Sequence, residues 1–253
     1  MTAHPRELLV ALGLVACTVG AARAAEPPID WDRLGPSHRR LVDPVVATSQ
    51  VSREVGNINY PTRRAIWEYL LVHPDFAAQV ARVMRQGKYR IQPVGDHYDV
   101  DDGHGVRGVM RPLYSANDRH IFYLEGAYEA TRWLPTVAGR VVLVLDNRYR
   151  QSADGTPLAD VAVTGYIRID SRFVGALLLL AKEFSGRTLD AGVRRFFRHV
   201  ERLNRRALED PKGLLDLLES QPAVDRTQLG EFRKILLRPI THEPSREPFA
   251  HPG

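Results

Sequence analysis

Hydrophobic positions along the chain change their spacing twice, and the changes divide it into elements. Over residues 37–50, Leu41, Val45 and Val46 recur at helical spacing as a thin apolar stripe, and 51–60 reads as a short strand ended by Pro61. Proline suits a first helical turn, so a helix starts there with Ile66, Trp67, Leu70 and Leu71 on one face. His73-Pro74 breaks it, and a second short helix carries Phe76, Val80, Val83 and Met84 until Gly87. From Lys88 to Asp170 the period shortens to two, with glycine and aspartate at regular intervals, which predicts strands at 89–93, 96–101, 106–114, 119–129, 137–149 and 158–169. Asp154-Gly155 is the hairpin turn between the last two. Along the last strand Val161, Val163, Gly165, Ile167 and Ile169 alternate with Asp160, Thr164, Tyr166 and Arg168, which predicts one buried and one wet face. The helical period then returns over 171–184 and 188–209, with Phe173, Leu177, Leu180, Phe184, Leu189, Val193, Phe196, Val200 and Leu203 as the seam. Asp210-Pro211 opens a further short helix as N-cap and first-turn proline, and another covers 225–238.

The ends of the chain read differently from this middle. Arg6, the aliphatic run Leu8 to Ala16 and the small residues up to Ala25 have the layout of a secretory signal, and the run is too short for a spanning helix. It ends in Leu14-Val15-Ala16-Cys17, and Cys17 is the single cysteine of the chain. This run resembles the lipobox of bacterial lipoproteins. The resemblance implies cleavage before Cys17, acylation of that residue, and a protein anchored to a membrane and facing the periplasm, the outer membrane being favoured because Thr18 is not an aspartate. Several acyl chains on one residue anchor stably. A competing cut after Ala24, at Ala22-Arg23-Ala24, would release a soluble periplasmic or secreted protein. The expected organisation is signal peptide 1–16, tether 17–36, one domain over 37–238 and a proline-rich disordered tail over 239–253. With no second cysteine there is no disulfide framework, so stability must come from a packed core.

The element order of strand, two short helices, six antiparallel strands and one long helix resembles the START-like helix-grip superfamily of lipid-transfer domains and polyketide cyclases. The residues carrying the likeness are Ile58-Asn59-Tyr60-Pro61 running into Ile66-Trp67, and coverage is about 51–209. The first strand is more polar than the superfamily pattern, and the arginine-rich second half of the long helix extends beyond it. The resemblance implies an α+β fold in which a curved antiparallel sheet of six to seven strands grips a long C-terminal helix, here with extra C-terminal helices. It also implies an apolar cavity walled by Trp67, Leu70, Phe122, Leu124, Tyr128, Leu143, Leu145, Phe173, Leu177 and Leu180, with Tyr128 or Tyr166 orienting a hydrophobic small molecule or lipid. No catalysis and no cofactor or metal are expected on this reading.

Other chemistry is weaker. Gly103-His104-Gly105-Val106-Arg107-Gly108 fits G-x-G-x-x-G, but a strand follows where a dinucleotide site needs a helix, so it reads as a hairpin turn. The segment Asp96 to His104 is rich in potential ligands, yet its spacing misses a calcium loop; alternation puts His97, Asp99 and Asp101 on one side, where they are the acid–base candidates for a cyclase or hydrolase. No G-x-S-x-G, H-E-x-x-H or paired C-x-x-C occurs; His73 and His120 read as structural. The net charge of +5 contains no basic block for a nucleic-acid arm. Arg194, Arg195, Arg198, Arg202, Arg205 and Arg206 line one helix face, either as a solvated surface or as the contact surface of an envelope scaffold or of anionic lipid.

Overall fold

The computed structural model describes residues 33–116, 118–129, 136–170 and 186–239, with 186–192 and 195 described by backbone alone. Within them the order is α1 (Pro36–Ala47), β1 (Val51–Pro61), α2 (Arg64–Val72), α3 (Pro74–Val83), β2 (Arg90–Val94), β3 (His97–Asp101), β4 (Val106–Ala116), β5 (Arg119–Tyr128), β6 (Val137–Gln151), β7 (Pro157–Ile169), α4 (Gly186–Glu209), α5 (Pro211–Glu219) and α6 (Arg226–Leu236). The strands form one antiparallel sheet in the order β1-β7-β6-β5-β4-β3-β2, so β1 closes on the last strand and β2 forms the far edge. This is the expected α+β arrangement, a curved sheet holding a long helix with further C-terminal helices behind it. The signal peptide, Cys17, the tether as far as residue 32, the helix expected at 171–184 and the tail from 240 lie outside the described residues.

Glycines at close backbone contacts bend the sheet. Gly108, Gly126 and Gly139 stand in register across β4, β5 and β6. A Cβ at Gly108 would lie 2.3 Å from the carbonyl oxygen of Glu125, one at Gly126 2.5 Å from that of Arg107, and one at Gly139 2.9 Å from that of Arg168. Only residues without a side chain permit so tight a bend. In β1 the register slips between Val55 and Ile58, where Asn57 takes φ 57°, which kinks the edge strand at a bulge.

The inner face of the sheet, bearing Phe122, Leu124, Val141, Leu145, Val163 and Ile167, packs on α2, α3 and the C-terminal helices in the main hydrophobic cluster. Helix α4 lies against β1 through Phe197, Leu203 and Ala207, with Val193, Phe196 and Val200 at the margin. Phe197 therefore joins the seam that the sequence assigned to Phe196, and Leu189 has no described side chain. Asn204 is fully buried on the same helix, where its Oδ1 accepts from Thr62 Oγ1 at 2.6 Å and its Nδ2 donates to Val200 O at 2.9 Å. Asp210 and Asp225 cap α5 and α6 by accepting from Gly213 N and Gln228 N. Arg63 donates to the carbonyls of Ile235, Leu236 and Arg238, which ties the end of α6 to the start of α2.

The middle of the outer face is not wet, contrary to the expectation from alternation. Helix α1 covers it: Val42 and Val45 pack on Val142, Val144, Tyr123 and Tyr166, and all four valines are inaccessible. Alternation along β7 reports two environments but not what packs on each, and the cover of the second face comes from α1.

Candidate functional site

Two arrangements on the inner side of the sheet have the makings of a site. The first is apolar. Leu143 and Gly165 are paired across β6 and β7 near the middle of the sheet, and both retain solvent access. Their neighbours on the same face, Val141, Leu145, Val163 and Ile167, are 5, 5, 6 and 5 % exposed. Among the described residues, only Leu143 Cδ1, at 4.0 Å, comes within reach of a Cβ placed on Gly165. A central position of a packed sheet would ordinarily be filled to close contact. Met110, Tyr128, Val193, Phe196 and Val200 are likewise only partly buried against the core.

Of the residues expected to wall a cavity, Trp67, Leu70, Phe122, Leu124, Tyr128, Leu143 and Leu145 belong to this inner cluster, whereas Phe173, Leu177 and Leu180 lie outside the described residues. Tyr166 is a correction: it sits on the outer face beneath α1 and cannot orient a ligand on the inner side. The reason is pleat parity, since β7 sends Gly165 and Ile167 inward and the residue between them outward. Trp67 serves the core, packing with Tyr60 and Phe197 at 5.6 and 6.3 Å between centroids while its Nε1 donates to Asn147 Oδ1 at 3.0 Å.

The second arrangement is polar and closes one end of the same face. Glu68 on α2 accepts from Tyr149 Oη on β6 and lies 2.9 Å from His120 Nε2 on β5. The other ring nitrogen, Nδ1, is 3.0 Å from Ser115 Oγ on β4. A proton on Nε2 facing the carboxylate leaves Nδ1 to accept from the serine. Nearby, Arg64 pairs with Asp118 and lies 5.3 Å over the Tyr149 ring. Burial pushes the Glu68 carboxyl up, but the hydrogen bonds of His120 and Tyr149 and the charges of His120 and Arg64 outweigh it and hold the group below its ordinary range. Burial, with the Glu68 charge behind it, drives the Tyr60 and Tyr149 phenols strongly upward, so both stay protonated. The His120 ring is 1 % exposed while Ser115 is open to solvent, so the set can pass a proton between a surface hydroxyl and a half-buried carboxylate. Reading His120 as structural missed its partners, Glu68 and Ser115, which come from two other elements. The available signal was an imidazole on the face that Phe122 and Leu124 make apolar.

The acidic hairpin is elsewhere. Tyr98 pairs with Met110, an inner-face residue, so His97, Asp99 and Asp101 point to the opposite side from the helices. His97 lies between Asp96 at 3.0 Å and Asp99 at 3.7 Å, both well exposed. Asp101 and Asp102 hold the turn by accepting from Gly103 N, and from His104 N and Val106 N. The G-x-G-x-x-G run is thus a hairpin turn, with φ of 70° and 112° at Gly103 and Gly105. Among the described residues no group of three histidine or acidic side chains is arranged to hold a metal. On α4, Arg198 and Arg202 are exposed, while Arg205 and Arg206 pair with Glu201 and Asp210 one turn away.

No protein-family model and no curated protein matches the chain. Among solved structures it is similar to the crystal structure of Ara h 8.0201, with 13% sequence identity over 58% of this chain and 96% of that one and a TM-score of 0.27. A likeness of that degree assigns neither ligand nor activity, and the fold rests on the strand order and helix placement given above.

Proposed function

We propose that the domain binds an apolar molecule, such as a lipid, between the inner face of its sheet and α4, without transforming it. The observation that carries this reading is the opening at the Leu143–Gly165 pair, flanked on both sides by fully packed positions. Binding would proceed by desolvation of the ligand against Leu143, Met110, Tyr128 and the partly covered side of α4. The lipobox-like run at Cys17 supports an exported, lipid-anchored protein, which would place this opening beside a supply of lipid. The mature protein, purified from its own membrane extract, should carry a non-covalent lipid-sized adduct in native mass spectrometry, and Gly165→Leu should lose it. A clean apo mass together with no thermal stabilisation by any lipid extract would refute the reading.

The serine–histidine–glutamate alignment favours a second reading, hydrolysis of an ester with Ser115 as nucleophile and His120 as base. A fluorophosphonate probe would then label Ser115, and His120→Ala would abolish the labelling. Absence of label on the native protein would eliminate this reading.

A further inference from the structure

At the edge of the sheet, where α3 runs into β2, a cleft of about 560 Å³ is lined by Arg82, Lys88, Arg90, Arg107 and Asp101 together with three glycines. Four cations face one carboxylate there, and that carboxylate is already engaged. Asp101 accepts from Gly103 N at 2.7 Å through one oxygen and from Arg107 Nε at 3.2 Å through the other. Strand register sets Arg90, Asp101 and Arg107 in one row across β2, β3 and β4, so two guanidinium groups flank a single acid. Among the described residues neither Lys88 nor Arg90 pairs with any carboxylate. Burial, and then the positive charge of Arg90, lowers the Arg82 guanidinium, a sign that the cations crowd one another. Like charges so gathered raise the energy of the fold unless an anion lies between them. At Gly103 and Gly105, which belong to the lining, the φ of 70° and 112° disfavours any side chain.

We propose that this cleft binds a phosphate group, carried either by a soluble phosphate ester or by a phospholipid headgroup. Guanidinium forks match phosphate oxygens in pairs, and an ammonium adds a point charge. The site is separate from the apolar opening, and Gly165→Leu should leave it intact, so the two readings can fail independently.

The test uses the full-length protein with two probes, glycerol 3-phosphate in calorimetry and phosphatidylcholine vesicles with or without phosphatidylglycerol in cosedimentation. Lys88→Glu combined with Arg90→Glu reverses the cleft at side chains that hold no other structure together, and an unchanged unfolding midpoint verifies the fold. Arg198→Glu with Arg202→Glu, on the exposed face of α4, controls for general charge. Glycerol 3-phosphate binding that weakens about tenfold for each reversed cleft cation, and not in the control, establishes the site with a soluble source. Binding only to phosphatidylglycerol vesicles, lost in the cleft variant and kept in the control, establishes it with a headgroup source. No binding of either probe, or equal losses in both variants, overturns the proposal.

Discussion

Gly126 and Gly165 occupy the same face of the sheet two strands apart, and replacing each by alanine should move stability in opposite directions. At Gly126 the new Cβ would meet the Arg107 carbonyl oxygen at 2.5 Å and the Gly108 Cα at 3.0 Å. Both are backbone atoms of a paired strand and cannot swing away. Overpacking of this kind costs about 1–3 kcal/mol, offset by the ~0.5–1 kcal/mol that alanine gains over glycine within a strand. At Gly165 the same Cβ meets, among the described residues, only Leu143 Cδ1 at 4.0 Å, so the strand gain of ~0.5–1 kcal/mol stands alone. The two variants should therefore differ by about 1–3 kcal/mol, which in a protein of this size separates their melting temperatures by roughly 2–12 °C. Urea denaturation followed by tryptophan fluorescence gives both midpoints, and equal slopes would show that the unfolded states are comparable. Indistinguishable midpoints would refute both the crowding assigned to the glycine row and the vacancy assigned to Gly165.

Glu68→Gln should flatten the acid limb of stability. The native carboxyl titrates below its ordinary value of 4.5, so its contribution is complete above that value and is lost as pH falls through the lower native one. Midpoints measured from neutral pH down to the acid limb should fall in the wild type and change less in the variant; parallel curves would deny the network its role. Arg63→Met removes three hydrogen bonds, at 2.7, 2.8 and 2.6 Å, from the carbonyls ending α6, and should cost about 2 kcal/mol. Amide exchange should then accelerate over residues 229–238 ahead of the sheet, and unchanged protection there would contradict the assignment. Val45→Asp should detach α1 and uncover Val142 and Tyr166, seen as dye binding and aggregation with the inner core retained; a monomeric, dye-negative variant would show that α1 is dispensable.

The strands were legible because their alternation and turn residues are local signals. Six expected strands and the first one appear in order, with ends displaced by a residue or two, and Asp154-Gly155 turns the last hairpin with Gly155 at φ 83°. What alternation could not tell was what lay on each side. The stripe on α1 was visible, but its docking on Val142 and Val144 is a tertiary fact, and Tyr166, on the outer side by alternation, was named as a ligand-orienting residue although α1 buries it there. The Glu68–His120–Ser115 alignment joins residues up to 52 apart along the chain from α2 and two strands, and no spacing rule anticipates it. The basic cleft was hidden for a similar reason: Arg90 and Arg107 are unremarkable in order and become neighbours only through the register of three strands.

The pairing of β1 with β7 also bears on how the chain reaches this state. Val51 must find Ile167, and Arg63 must find a carbonyl 175 residues away, before the sheet has its last neighbour and α6 its anchor. Contacts so distant along the chain pay loop-closure entropy before they return any stabilisation, which slows folding. Until β1 arrives, the meander from β2 to β7 can form by successive hairpins but ends in a long apolar edge open to other chains. A molecule delivered unfolded across a membrane would meet this interval in full, and the bulged, partly polar β1 is the strand whose timely capture decides between a finished fold and an aggregate.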